Sequence, residues 1–259
     1  MSRLSEIAAG VLVGTSELYM TITTVVAGPG GSCQVIDPAI TPADLAVLAA
    51  ELAALGLRPA AGWSTHPHWD HVLWSRELGD VPRYAVPRAV AAATARRADL
   101  IDSVQRSAPG HDLELLARLT ALAPGTDRVP WEGPQAWVIA HDGHAPGHGA
   151  VFLPEAGVLV AGDMLSDIEI PLLDRDTPDP VGDYRAGLER LAALTGVGQV
   201  VPGHGHVGDA VEFGRRIAAD RRYLDTLERG APFGDPRLTQ DWLRVEHERQ
   251  LEQARNGPP

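Results

Sequence analysis

Cysteine is almost absent from this sequence of 259 residues, since Cys33 is its only one. One thiol cannot form an intrachain disulfide, and its place in an apolar, strand-like run predicts a buried thiol. No segment is long and apolar enough to cross a membrane, and the apolar run at residues 7–13 is too short and mixed for a secretory signal. These absences favour a protein of the reducing cytoplasm that binds no membrane.

Positive charge is also scarce, because 22 basic residues stand against 34 acidic ones and leave a net charge of -12. An acidic surface repels phosphate backbones, so we expect no nucleic-acid partner. No repeat of solenoid length is present. The length and the 44% of hydrophobic residues allow either one large domain or two small ones, with a substantial core.

Metal-binding side chains are concentrated in one short run, Thr65-His66-Pro67-His68-Trp69-Asp70-His71. Imidazole nitrogens and carboxylate oxygens are good ligands for zinc and related divalent metals. In extended backbone His66 and His68 point the same way and can bind one metal, while Asp70 and His71 can face a second. The alternative interpretation is a histidine-rich surface loop without chemistry.

Three further segments place metal-capable residues at the ends of apolar runs. His144 and His148 lie between two such runs, and Asp163 and His204 each follow a short strand-like segment. Glycine or proline accompanies each of these residues, which indicates a turn at the end of a strand. Ligands that rigid strand ends hold in place suit a preorganised site.

The sequence resembles the metallo-β-lactamase-fold hydrolases from its first strands to about Gly208. The resemblance rests on the run at 66–71, Gly-His-x-Pro-Gly-His at 143–148, Gly162-Asp163 and Gly203-His204-Gly205. It implies an α+β fold in four layers, αββα, with the metals at one edge between two sheets. We therefore expect a single domain over residues 1–259, with a helical cap insertion at 87–123 and C-terminal helices at 209–259.

The resemblance also implies which residues bind which metal. The first metal would be held by His66, His68 and His148, the second by Asp70, His71 and His204, and Asp163 would bridge the two. His144 would support the site without binding metal. Asp37 would either steady a ligand from beneath the metals or serve as a turn residue before Pro38.

Two divalent ions, with zinc favoured and iron or manganese as alternatives, are the cofactors that this ligand set implies. Metal-bound water loses its proton near pH 7, and the resulting hydroxide can attack a carbonyl carbon. Asp70 would orient the hydroxide and pass a proton to the leaving group. The expected function is therefore hydrolysis of a small carbonyl substrate, namely an ester, a lactone or a thioester.

Two other functions stay open, an iron-dependent sulfur dioxygenase and a non-catalytic metal-binding module. Asp163 stands where several true β-lactamases have cysteine, and His68 stands where the flavin-partnered diiron members have glutamate. The residues after His204 differ from the His-Glu-Tyr run of glyoxalase II, so the sequence does not favour a glutathione thioester. The C-terminal helices either close the fold or form a homodimer contact.

The segments between the motifs are candidates for the substrate pocket. Leucines recur from Leu113 to Leu122 at helical spacing, which predicts a helix within the cap at 87–123. The cap lies near the mouth of the site or is an ordinary outer helix pair. Residues 164–181 either pass over the metals or fold against the core. Tyr184 is a further candidate for contact with a substrate oxygen.

Overall fold

The computed structural model describes residues 1, 3–38, 40–230 and 234–256. In this described part, a seven-stranded sheet has the order β1 to β7, antiparallel as far as β4 and parallel beyond it. Its strands are β1 Ser5–Ala8, β2 Val11–Thr15, β3 Ile22–Ala27, β4 Ser32–Ile36, β5 Arg58–Trp63, β6 Arg83–Ala85 and β7 Thr120–Ala121.

A second, five-stranded sheet of the described residues has the order β12-β11-β10-β9-β8, with β10 and β11 parallel. Its strands are β8 Trp137–His141, β9 His148–Leu153, β10 Val158–Gly162, β11 Gln199–Pro202 and β12 Gly208–Asp209. The α-helices are α1 Pro42–Ala54, α2 Pro87–Ala95, α3 Arg97–Ser107, α4 Pro180–Ala192, α5 Ala210–Arg229 and α6 Asp241–Asn256. None of the helices in the described ranges combines the length and the apolar character that crossing a membrane requires.

The two sheets pack face to face, and helices cover both outer faces. Strand β10 shows the arrangement, because neighbouring residues point to opposite faces of a strand. Val160 packs toward the first sheet, whereas Leu159 packs against helices α4 and α5. On the other side of the molecule, Val35 of β4 packs against Leu48 of α1. The α+β fold with four layers, αββα, is therefore confirmed.

The cap region at 87–123 is helical only in its first half. Helices α2 and α3 bury Ala93, Leu100 and Val104 against the loop that follows β5. The predicted helix from Leu113 to Leu122 is wrong, because residues 113–117 form turns and β7 follows at Thr120. Ala117 has a φ of 53°, a left-handed conformation that ends regular helix. The leucines are spaced as in a helix, but they fill the core from successive turns.

Helices α5 and α6 pack onto the second sheet, with Tyr223 and Leu243 in the same buried cluster. The predicted C-terminal segment 209–259 thus contains two helices, with turns at 236–239 between them, and residues 231–233 and 257–259 lie outside the described residues. Cys33 is fully buried, as predicted, and burial raises the pKa of its thiol to about 12.

A buried ion-pair network joins α5 to the segment before α6. Arg237 lies 2.6 Å from Asp220 and 2.9 Å from Asp235, and the side chains of both aspartates are almost inaccessible to solvent. Removing one member of such a pair leaves an uncompensated buried charge.

Arg237→Leu will lower the free energy of unfolding by about 3–5 kcal/mol, because the carboxylates of Asp220 and Asp235 lose their counter-charge. Chemical denaturation measures this loss. The matched control is Arg229→Leu, since Arg229 is 76% exposed and its pair with Asp225 is long at 3.9 Å. The control should change stability by less than about 0.5 kcal/mol. Equal effects of the two variants would contradict the prediction.

Candidate metal centre

The candidate ligands lie at one edge of the sandwich, where strands of both sheets end. Strand β5 leads into the loop with His66 and His71, β10 ends immediately before Asp163, and β11 ends before His204. The backbone amide of Gly203 donates to the carbonyl of Gly162. The backbone of Thr21 forms an isolated β-bridge with that of His204, which links the two sheets. The sheets therefore fix the relative positions of these side chains.

One group of ligand atoms consists of three imidazole nitrogens and a carboxylate oxygen. His68 Nδ1 lies 3.1 Å from His66 Nε2 and 3.0 Å from His144 Nε2. Asp163 Oδ2 lies 3.5 Å from His66 Nε2 and 3.4 Å from His144 Nε2. We call this set, His66, His68, His144 and Asp163, the first group.

A second group of ligand atoms lies on the other side of Asp163. His204 Nε2 is 3.4 Å from His71 Nε2 and 3.3 Å from Asp70 Oδ2. We call Asp70, His71 and His204 the second group. Asp163 approaches it as well, with Oδ1 3.1 Å from His71 Nε2 and Oδ2 3.3 Å from His204 Nε2. The carboxylate of Asp163 thus faces both groups.

These distances between ligand atoms match those expected between the ligands of one bound metal ion. Ligands at about 2.0–2.1 Å from a tetrahedral zinc ion lie roughly 3.3 Å from one another. A side chain at position 203 would disturb the arrangement, because its Cβ would come within 1.9 Å of Asp163 Oδ1. Gly203 therefore leaves the space into which Asp163 extends.

Outer hydrogen bonds fix which ring nitrogen of each histidine faces the site. His71 Nδ1 donates to Asp37 at 2.9 Å, and His204 Nδ1 donates to the Tyr19 carbonyl at 3.0 Å. His144 Nδ1 donates to the Leu172 carbonyl at 2.9 Å. Because Nδ1 carries the proton in each ring, the Nε2 lone pair points into the site. Such outer partners orient metal-binding histidines in proteins.

Asp37 occupies the end of β4 directly behind the two groups. Its carboxylate accepts from the backbone amide and the hydroxyl of Thr65 as well as from His71. The Thr65 hydroxyl lies 3.0 Å from His66 Nδ1 and can accept its proton. Of the two roles that the sequence left open for Asp37, the geometry favours support of the histidines.

Asp37→Asn will weaken metal binding by about 10–100-fold, the usual cost of losing an outer partner. Asparagine tolerates the φ of 47° that Asp37 adopts, so the backbone should be kept. Competition with a coloured chelator measures the affinity. Asp44→Asn is the matched control, since Asp44 is also buried but caps α1. The control should cost about 1 kcal/mol of stability and no metal affinity; unchanged affinity in Asp37→Asn would contradict the prediction.

The two groups differ in their electrostatics. Burial lowers the pKa of His71 and His204, but the carboxylates of Asp163 and Asp70 outweigh it and raise both pKa values well above the usual range. In the first group burial dominates: it lowers the pKa of His66 well below its usual value and that of His144 to about 4. The first group therefore presents neutral lone pairs, and the second attracts positive charge.

The structure differs from the sequence-based assignment at one pair of residues. It brings His144 into the first group and leaves His148 out of both groups. His148 is the first residue of β9, and its ring stacks between the rings of His66 and His141. His144 lies at the tip of the β8–β9 connection with a φ of 71°, which turns its ring toward His68. The sequence carried no signal for this difference, because the apolar run begins at Ala150 and leaves both histidines outside it.

A cavity of about 900 Å³ opens onto both groups. Its walls come from α2 and α3 of the cap, from residues 172–176 of the loop after Asp163, and from α6. The sequence analysis gave residues 164–181 a place over the metals as one alternative but did not single out Glu169, and it gave no part in the cavity to α6, which contributes Trp242 and Glu246. Tyr184 does not reach the cavity, because it is buried with its hydroxyl 3.5 Å from Asp220. Burial raises the pKa of Glu169 to about 7.

Comparison with known proteins agrees with this architecture. The family model described as the Metallo-beta-lactamase superfamily matches residues 19–221. The hydroxyacylglutathione hydrolase of Rhodobacter capsulatus is 32% identical over 195 residues, which are 70% of this chain and 67% of that protein. The probable metallo-hydrolase YflN of Bacillus subtilis (strain 168) is 28% identical over 187 residues, which are 60% of this chain and 70% of that protein.

Solved structures show the same fold. A metallo-beta-lactamase family protein from Thermus thermophilus superposes with a TM-score of 0.69 at 22% identity, and the match covers 98% of each chain. The protein TTHA1623, solved in a di-iron-bound form, superposes with a TM-score of 0.60 at 26% identity over 79% of this chain and 97% of that one.

Proposed function

The chain belongs to the metallo-beta-lactamase superfamily, and we propose that it is a metal-dependent hydrolase of a small ester, lactone or thioester. The observation that carries the proposal is the pair of ligand groups that share Asp163 at the base of a cavity. The names of the relatives support hydrolysis, and the hydroxyacylglutathione hydrolase supports a thioester within the class.

The ligand assignment that we propose follows the geometry. His66, His68 and His144 hold one ion, Asp70, His71 and His204 hold the other, and Asp163 is shared. The donor set fits divalent metals, because neutral imidazole nitrogens and carboxylate oxygens converge with their lone pairs directed inward. Zinc suits this set, and the di-iron relative keeps iron as an alternative.

When bound, a pair of divalent metals supplies a water of lowered pKa and polarises the substrate carbonyl. The residues of the chain supply position and proton transfer. Asp70 lines the cavity, and one of its oxygens lies 3.3 Å from His204 Nε2. In our proposal the other oxygen accepts the proton of the attacking water and returns it to the leaving group.

Turnover assays test the function directly. Purified protein that is stripped with a chelator and reloaded with zinc, iron or manganese should regain hydrolysis of an ester, lactone and thioester panel. Full activity after exhaustive chelation would contradict a metal-dependent reaction. Metal-replete protein without any turnover would favour a binding module, and oxygen uptake with a sulfur substrate would favour a dioxygenase. The cytoplasmic location and a homodimer remain proposals from the sequence.

A further inference from the structure

The charged residues of the cavity wall are mostly acidic. Outside the two ligand groups, five carboxylates and two guanidinium groups line the cavity: Asp99, Glu169, Asp174, Asp176, Glu246, Arg96 and Arg175. The excess of negative charge at this wall has the same sign as the net charge of the whole chain. A concave surface that carries one sign of charge repels ligands of that sign before they bind.

Neither cation of the wall is free. Arg96 lies 2.9 Å from Asp176 and 3.4 Å from Asp99, both by side-chain contacts. Arg175 forms an ion pair with Glu246. All basic residues of the chain are arginines, so no lysine can take their place. Apart from the proposed metal ions, the described residues of the cavity wall therefore offer no unpaired cation to a substrate carboxylate.

Two of the wall carboxylates, by contrast, have no cationic partner in the described residues. Glu169 and Asp174 form no ion pair, and the only hydrogen bond that either side chain makes is the one that Asp174 accepts from the amide of Asp176. Glu169 is close enough to the second ligand group for His204 and Asp163 to influence its pKa. An anionic substrate would meet the negative charge of Asp174 and, at or above neutral pH, that of Glu169, whose pKa burial raises to about 7.

Much of the remaining wall is apolar. Leu100 of the cap, Leu172 and Leu173 of the loop after Asp163, and Trp242 of α6 line the cavity beside the ligand groups. Trp242 is 45% exposed, which places it where solvent reaches the wall. Apolar surface of this kind gains free energy when it covers a hydrocarbon chain.

We propose that the cavity selects esters, thioesters or lactones whose acyl group is apolar and carries no negative charge, and that its paired arginines and free carboxylates reject anionic acyl groups. This inference rests on the proposed hydrolase function and narrows its substrate class.

Three matched substrates test the selection. The 4-nitrophenyl esters of hexanoate, of the adipate monoanion and of 6-(trimethylammonio)hexanoate share leaving group and chain length and differ in terminal charge. We expect kcat/KM for the anionic ester to be at least ~10-fold below that of the neutral ester at low salt. The difference should shrink at ~0.5 M salt, because exposed charges are screened.

A pair of double variants locates the cause. Asp99→Asn with Asp176→Asn frees Arg96, and the ratio of anionic to neutral kcat/KM should rise by ~3–10-fold. The matched control is Asp112→Asn with Glu114→Gln, which frees Arg76 from an equivalent double pair outside the cavity. The control removes the same formal charge from the protein and should leave the ratio unchanged.

The outcomes separate the two proposals. An anionic ester that is hydrolysed as fast as the neutral one by the wild type would overturn the charge selection alone. Charge selection is also overturned if the two double variants give the same ratio of anionic to neutral kcat/KM. If metal-loaded protein hydrolyses none of the three esters, the hydrolase function fails, and the substrate inference fails with it.

Discussion

Replacing His144 by asparagine will remove one metal ion per chain and lower kcat/KM by more than about 100-fold, whereas His148→Asn will keep both ions. The loss of an outer partner alone costs about 10–100-fold, so the loss of a direct ligand should cost more. His144 Nε2 lies within hydrogen-bond distance of His68 Nδ1 and 3.4 Å from Asp163. The contacts of the His148 ring with the first group are ring contacts, stacked on His66 and edge-on to His144.

The two variants form their own control, because both remove an imidazole from the same buried connection. His148→Asn is expected to lower thermal stability, since its ring packs between two others in the interior. Elemental analysis of the purified variants counts the ions, and steady-state kinetics measures the turnover. Loss of an ion from His148→Asn with both ions kept in His144→Asn would restore the assignment that the sequence suggested.

Asp163→Asn will have the largest effect of any single substitution, because it alters both ligand groups at once. The carboxylate lies within 3.5 Å of four ring nitrogens, those of His66, His71, His144 and His204. An amide keeps the shape but replaces one oxygen by an NH₂ group, which cannot bind a cation. We expect metal content to fall below one ion per chain and kcat/KM to fall by more than about 1,000-fold, well beyond the cost of an outer partner.

Asp167→Asn is the matched control for Asp163→Asn. Asp167 follows four residues later in the same segment, but it pairs with the exposed His206 and with Arg216. It should keep two ions and at least half of the wild-type turnover. Asp163→Asn with two tightly bound ions and unchanged kinetics would show that Asp163 is not shared between metals.

Most of the residues that the sequence singled out lie close together in the structure, because they lie at strand ends. Val-rich runs before Asp163 and His204 indicated strands, and the ends of neighbouring strands meet at one edge of a sandwich. The same logic does not separate His144 from His148, because both precede the apolar run that begins at Ala150. Only the exact start of β9 decides which ring stays in the strand, and the ends of regular elements are poorly specified by local sequence.

The cavity wall could not be predicted because distant contacts form it. Arg96 of the cap pairs with Asp176, and Arg175 pairs with Glu246 of α6. No local pattern reveals such pairs.

The leucines from Leu113 to Leu122 show the opposite problem, since their helical spacing suits burial in turns equally well. Tertiary packing, and not local preference, decides both cases.

The central claim is that two ligand groups bind two metal ions and share Asp163. A crystal structure of the metal-loaded protein, with anomalous diffraction collected at the absorption edge of the bound metal, tests it most directly. We predict two peaks, one on His66, His68 and His144 and one on Asp70, His71 and His204, with Asp163 contacting both. A single peak, no peak, or a peak bound by His148 in place of His144 would contradict the claim.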